Sequence, residues 1–475
     1  MTRVLKPDIC IIGAGSGGLT VAAAAASLGV PVVLVERGRM GGDCLNYGCI
    51  PSKALIASGK QAHRLRHGAP LGIANVEPSV DFARVAAHIE GTIAAIAPND
   101  SVERFTSMGV TVVPAEASFK NTRTVVAGAH EIKARRFVIA AGSSPAIPPI
   151  PGLDEVPFLT NETVFSLRRQ PEHLIVIGGG PVGMELAQAH RRLGARVTVI
   201  EAGTALGKED SELSKLVVGR LRAEGVEIFE HTHIQRVEPQ DGSGIRVLAA
   251  SAGGPKTIDG SHLLVATGRR PNLDALALDR AGIAFGADGI TVSNGLRTTN
   301  RRVYAIGDVA GGPQFTHVAN YHAGLVVRAI LFRLPAKADR NLIPRVTFTD
   351  PELAHIGLTE DEVRKNARHV KVLRAPFSEN DRAQTEGLTE GFVKLVVGRH
   401  GRILGASMVG PGAGELLHFW SLALSKRMTV RDVARYVAPY PTLGEIGKRA
   451  AFSALADAAR SSLVRGMLGF LRLFG

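Results

Sequence analysis

Three cysteines in 475 residues, Cys10, Cys44 and Cys49, are too few for the dense disulfide framework of a small secreted protein. Aromatic residues make up only 5% of the chain. No apolar signal-peptide core precedes the first strand-like segment, because Met1 to Asp8 carries Arg3 and Lys6 and runs straight into Ile9. The longest apolar stretch, Leu19 to Val35, is broken by Ser27, Gly29 and Pro31, so it reads as a helix and a strand rather than a membrane span. The cytoplasm is therefore the default expectation. Basic residues outnumber acidic ones 56 to 43, for a net charge of +13. They never gather into a run of five or six, which argues against nucleic acid as the partner. Disorder is excluded by a hydrophobic content of 45%. At ~150 residues per domain the length suggests about three domains.

Glycine, by contrast, is abundant, with 54 residues. Its placement matters more than its number. Residues 8–12 read as a buried parallel strand, followed by Gly13-Ala14-Gly15-Ser16-Gly17-Gly18, a helix-like segment to Leu28, and a second strand ending at Glu36. Gly13 permits the tight turn, Gly15 lets backbone N–H groups approach a pyrophosphate, and Gly18 lets helix and strand pack closely. The device recurs: a strand at 174–177, the glycines Gly178, Gly180 and Gly183, a helix, and a strand ending at Glu201. The acid follows the first glycine by the same spacing in both copies. The sequence therefore predicts an α/β protein with two Rossmann-like dinucleotide-binding domains. Two such sites in one chain suggest two nucleotides that exchange electrons. A carboxylate at Glu201 pairs with free ribose hydroxyls and repels a 2′-phosphate, which predicts NADH in preference to NADPH.

Between the first device and the next strand lies the segment from Gly41 to Lys53, with four residues separating Cys44 and Cys49. That spacing can coil in one helical turn and bring the sulfurs within disulfide distance. A structural zinc site wants four ligands, and no second Cys/His cluster accompanies the pair, so no metal centre is predicted. A close cysteine pair beside a dinucleotide fold reads as redox-active. Cys10, inside a strand, reads as a small buried hydrophobe.

The segment Gly41 to Lys53 resembles the redox signature of class I pyridine nucleotide-disulfide oxidoreductases, the family of dihydrolipoamide dehydrogenase, glutathione reductase and mercuric reductase. Residues 137–142, ending at Gly142, and 263–268, ending at Gly268, resemble its paired strand-end motifs. Residues 304–309, with Gly307 and Asp308, resemble its second flavin motif, and residues 348–360 resemble the opening of its interface domain. The resemblance implies FAD at the first site (Gly13, Gly15, Gly18, Glu36, Gly42, Gly142, Gly307 and Asp308) and NAD(P)H at the second (Gly178, Gly180, Gly183, Glu201 and Gly268). Cys49 would face the flavin and Cys44 would attack substrate. Lys53 would lie near the flavin and pair with Glu185, and a C-terminal α+β domain would make a homodimer with a shared active site. Electrons would pass from NADH through FAD to the Cys44–Cys49 disulfide, and on to a disulfide or a thiophilic metal ion.

Three features depart from that pattern. The disulfide reductases of the family end in a His-Pro-Thr-x-x-Glu segment, whereas this chain has Tyr440-Pro441-Thr442 and Glu445, with tyrosine at the histidine position. A phenol, with an ordinary pKa of about 10, is a poor base near neutrality. The segment is closer to that of mercuric reductase, yet the chain ends at Gly475 without the vicinal cysteines of that branch. Asp43 stands where many relatives carry threonine, and would raise the Cys44 pKa unless it points to solvent. His317 falls in the flavin-adjacent turn, where a structural and a functional role are equally open. The alternative readings are a dihydrolipoyl dehydrogenase working with Tyr440, and a flavoprotein whose main role is docking to a membrane or partner.

The predicted organisation is an FAD domain in two pieces (1–150 and 273–344), an inserted NAD domain (151–272), an interface domain (345–460) and a tail (461–475). In the tail Leu463, Met467, Phe470, Leu471 and Phe474 recur at helical spacing, with Arg465 and Arg472 on another face and no acid after Asp457. Such a basic amphipathic helix is able to touch a membrane surface or partner, or to pack on its own dimer.

Overall fold

The structure is a computed structural model that describes residues 3–240, 244–366, 370–459 and 462–474. Its first sheet holds five parallel strands in the spatial order Val303–Ala305, Arg136–Ile139, Ile9–Ile12, Val32–Glu36, Thr111–Pro114. The strand Ile9–Ile12 is central and fully buried, as its uninterrupted apolar run requires. The edge strand Val303–Ala305 comes from well beyond a second sheet. That sheet has four parallel strands, Glu227–Phe229, Arg196–Ile200, His173–Ile177 and His262–Val265. The chain crosses between the two sheets through a two-stranded antiparallel ribbon, Ser143–Pro145 with Arg269–Pro271. A third sheet of five antiparallel strands, drawn from 345–410, carries the helix Ala413–Ser425.

The two glycine turns are built alike. Gly13 and Gly178 have φ of +106° and +108°, and a Cβ there would stand 2.3 Å from Ala140 O and 2.5 Å from Ala266 O. Gly18 and Gly183 press on the carbonyls of Gly13 and Gly178, where a Cβ would come within 1.9 and 2.0 Å. The helices that follow, Ser16–Ser27 and Pro181–Arg192, begin a few residues earlier than their apolar runs suggest, directly on the glycine turn. Their first turns supply amide N–H groups that the ladder leaves unpaired.

Buried ion pairs tie the third sheet to the second. Arg192, nearly inaccessible, reaches Glu224 at 2.7 Å and Asp350 at 2.8 Å. Lys394, equally buried, reaches Asp210, Glu212 and Glu360 at 2.8–2.9 Å. Trp420, the single tryptophan, lies in the third core against Gly447. The tail forms a helix, Ser462–Leu471, on which Met467, Phe470 and Leu471 are exposed, as is Phe474 just beyond it. The side chain of Leu463, and residues 461 and 475, lie outside the described residues. Among the described residues no helix is long and apolar enough to cross a membrane.

Removing one partner of a buried ion pair leaves the other charge uncompensated. Arg192→Met is expected to destabilise the fold by about 3–5 kcal/mol, read as a lowered denaturant midpoint.

Candidate active site

Cys44 lies on the short helix Gly42–Asn46, and Cys49 is the first residue of the long helix Cys49–Arg66. The pair is thus not wound in one helical turn. The chain breaks at Tyr47 and Gly48 and restarts, which places Cys49 at a helix N-terminus, where a negative sulfur is favoured. Both cysteines are free thiols and partly buried. The hydrogen bond from Cys44 brings the Cys49 pKa down to about 6 against the opposing effect of burial; the Thr316 hydroxyl, 3.2 Å away, and the Lys53 ammonium add to the lowering, and Asp43 opposes it. The same hydrogen bond, with burial, pushes the Cys44 thiol up. Cys49 is the thiolate and Cys44 keeps the proton.

Lys53 follows one turn later, on the same helix face as Cys49. Its Nζ donates to Glu185 Oε2 at 2.9 Å and stands 4.2 Å from the centre of the Phe348 ring. Glu185, only 6% exposed, accepts the Phe348 N–H with its other oxygen at 2.8 Å. The redox helix, the second glycine-turn helix and the start of the third sheet therefore meet at one carboxylate.

The first glycine turn abuts the redox segment: Gly15 bridges Gly41, and a Cβ on Gly42 would stand 2.7 Å from Gly15 Cα. Helix Ser16–Ser27 has no side-chain cap and no acid in its first turn, so its amide N–H groups suit an anionic phosphate. Gly142 has φ +67° with no atom within 4 Å of an added Cβ, and Gly307 has the same φ. Asp308 is mostly buried, which raises its pKa, while the Ser143 hydroxyl donates to it at 2.6 Å. These residues fit a bound dinucleotide. Glu36 accepts from Ala14 N at 2.6 Å and Gly38 N at 2.7 Å; Glu201 accepts from Gly179 N and Gly203 N, both at 2.7 Å. Both acids therefore also pin their own glycine turns, a role beyond the ribose contact read from sequence. Helix Pro181–Arg192, which starts one residue after Gly180, is likewise uncapped, and Gly268 has open space around it.

Tyr440 is 70% exposed, and its Oη donates to Asp381 Oδ2 at 3.0 Å. That carboxylate raises the phenol's pKa further. Glu445 accepts from Thr442 N at 3.4 Å instead of from Tyr440. Among the described residues no hydrogen bond joins either of them to Cys44 or Cys49 within one chain.

The pyridine nucleotide-disulphide oxidoreductase family model matches residues 7–323, and its dimerisation domain matches residues 343–451. The chain belongs to this family. It is 36% identical to a mercuric reductase of Bacillus cereus over 462 residues, covering 97% of this chain and 73% of the relative. It is 35% identical to a dihydrolipoyl dehydrogenase of Geobacillus stearothermophilus, covering 95% of this chain and 97% of the relative. Its fold matches LpdA from Mycobacterium tuberculosis with a TM-score of 0.86 at 28% identity, over 96% of this chain and 100% of that one. A Cu(II) complex of RclA from Escherichia coli, an HOCl-induced flavoprotein disulfide reductase, matches at 0.84 and 27%, over 94% of this chain and 99% of that one. As a family member the protein is an FAD-dependent, NAD(P)H-dependent oxidoreductase, and its dimerisation domain supports a homodimer. FAD, when bound, supplies the relay that takes an electron pair from the nicotinamide and delivers it to a disulfide.

Four contacts of this site were not legible as motifs. His317 Nε2–H donates to Pro344 O at 2.7 Å and its ring stacks on Phe315, so it fixes the turn and does not reach the cysteines by hydrogen bonding. Its neighbour Thr316 is the residue that reaches Cys49. Asp381 lies 59 residues before Tyr440, and Arg269 reaches Asp43 from the far side of the insertion. Cys10 is fully buried, and burial pushes its thiol up. In the reduced enzyme, Thr316→Val is expected to raise the midpoint of thiolate formation at Cys49 above pH 6, read by the pH dependence of alkylation. Because the folded value lies below that of a free thiol, stability gained from this thiolate is lost as pH falls through about 6.

Proposed function

We propose that the enzyme passes electrons from NADH to the Cys44–Cys49 disulfide and then to a disulfide or thiophilic metal ion, in the manner of a mercuric reductase. The observation that carries this reading is Tyr440, whose proton is held by Asp381. A phenol so held is a poor base near neutrality and offers substrate only its oxygen lone pairs, which suits positioning rather than proton transfer. On this reading Tyr440 and Glu445 complete the partner's site in the homodimer.

Reduction breaks the S–S bond with two electrons and one proton. The charge stays on Cys49, beside Lys53 and Thr316, and the proton goes to Cys44. On this reading the Cys44 proton moves along their hydrogen bond to Cys49 as Cys44 attacks, and Cys49 then hands it to the leaving sulfur, the work that a histidine does elsewhere. Cys44 Sγ bonds to one sulfur of a disulfide substrate as its S–S bond breaks, and the other sulfur leaves as a thiol carrying the proton from Cys49, which is again a thiolate. Cys49 next displaces the bound sulfur, which re-forms the Cys44–Cys49 bond. A metal ion as substrate would be taken between the two sulfurs. Glu185 keeps Lys53 at the face of Cys49, and Glu201 opposes a 2′-phosphate, which favours NADH.

A second reading is dihydrolipoyl dehydrogenase, supported by 35% identity to such an enzyme over 466 residues. The two separate by rate. Dihydrolipoamide oxidation by NAD⁺ is expected to be slow, and Tyr440→His to raise it by ~10²-fold or more, while Hg(II)-dependent NADH oxidation does not need the substitution. Fast lipoamide turnover by the unaltered enzyme would overturn the first reading. Cys44→Ser is expected to abolish turnover of either substrate while NADH still bleaches the flavin.

A further inference from the structure

Asp43 directly precedes Cys44, and its carboxylate, 34% exposed, is engaged by protein groups on its other side. Its Oδ1 accepts from Asn161 Nδ2 at 3.0 Å and lies 3.1 Å from the guanidinium of Arg269. Its Oδ2 folds over Gly48, between the two cysteines, where an added Cβ would come within 2.9 Å. Asn161 also donates to Tyr47 O at 3.2 Å, which fixes the same loop.

Arg269 opens the strand by which the chain returns from the inserted sheet. Its Nε and Nη2 donate to Ser143 Oγ and Ser143 O, both at 2.7 Å, and Asp308 Oδ2 lies 3.9 Å away. One part-buried guanidinium thus faces two carboxylates, one beside Cys44 and one in the flavin motif. A serine fixes the guanidinium in place, and the ribbon Ser143–Pro145 with Arg269–Pro271 holds the serine. An arginine has the fork geometry for this, which a single-point cation lacks.

The oxidised Cys44–Cys49 pair is neutral, and the reduced pair carries a thiolate. An uncompensated carboxylate near the cysteines disfavours the reduced form by like-charge repulsion, in a part-buried site where screening by water is weaker than at the surface. We infer that Arg269 is a positioning residue that, by compensating Asp43, keeps the Cys44–Cys49 disulfide reducible. The inference rests on the reading of Cys44 and Cys49 as the redox pair. It assigns a task to Asp43 as well: with Asn161, it anchors the cysteine loop to the inserted domain.

The test uses FAD-loaded enzyme, equilibrated without oxygen in dithiothreitol buffers of graded redox poise, then alkylated and weighed for disulfide and dithiol. Arg269→Gln is expected to shift the equilibrium about tenfold toward disulfide, equivalent to ~30 mV for a two-electron couple. Asp43→Asn removes the charge to be compensated, so it is expected to shift the equilibrium toward dithiol. The double variant is expected to return to within about twofold of the unaltered enzyme. An unshifted Arg269→Gln, or a double variant shifted as far as Arg269→Gln alone, would overturn the inference. If Arg269→Gln fails to fold or to hold FAD, Asp43→Asn alone decides, and an unshifted equilibrium there overturns it. If the cysteines of the unaltered enzyme never form a disulfide in oxidising buffer, the redox reading itself falls, and the inference with it.

Discussion

One carboxylate joins the working parts of this molecule. Glu185 projects from the helix that leaves the second glycine turn, takes the Lys53 ammonium on one oxygen and the Phe348 N–H on the other, and is almost wholly withdrawn from water. A buried carboxylate is tolerable only with such partners, and losing either one leaves a charge or a donor unmet. The redox helix Cys49–Arg66 is therefore held against both the inserted domain and the opening of the third sheet. Its N-terminus is where the thiolate forms. The position of Cys49, the charge beside it and the relation of the three sheets follow from the same contact.

Around that joint the charges are arranged by depth. Arg192 and Lys394 each face more than one carboxylate and hold the third sheet to the second from within. Arg269 faces Asp43 and Asp308 nearer the cysteines. Exposed pairs such as Arg37–Glu116 contribute little beside these, since water and salt screen them.

The cysteine site divides its labour between two like atoms. Spacing alone cannot distinguish Cys44 from Cys49. The break at Gly48 does so, because it starts a new helix at Cys49 and leaves Cys44 on the short turn before it. The proton then rests on Cys44 by hydrogen bonding, and no histidine is needed to account for its placement. Tyr440, tied to Asp381, takes no part in that step and is suited to holding a substrate by hydrogen bonding.

The strand–glycine–helix–strand–acid units, the cysteine segment and the family were legible in the linear chain, because each is a local pattern. A glycine at a fixed offset serves a turn only a few residues long, and the apolar runs of parallel strands are continuous. The Lys53–Glu185 pair was legible only through resemblance. The remaining contacts had no local mark. Thr316 on Cys49, Asp381 on Tyr440 and Arg269 on Asp43 join residues 59 to 267 positions apart. The pairing of Asp43 was equally hidden, since a carboxylate beside a cysteine is compensated or not according to which cation the fold brings near. The sequence by itself determined that two dinucleotide sites flank a cysteine pair. Only the tertiary structure decided which sulfur is charged and what compensates the acid beside it, because electrostatic energy depends on distance through space and not along the chain.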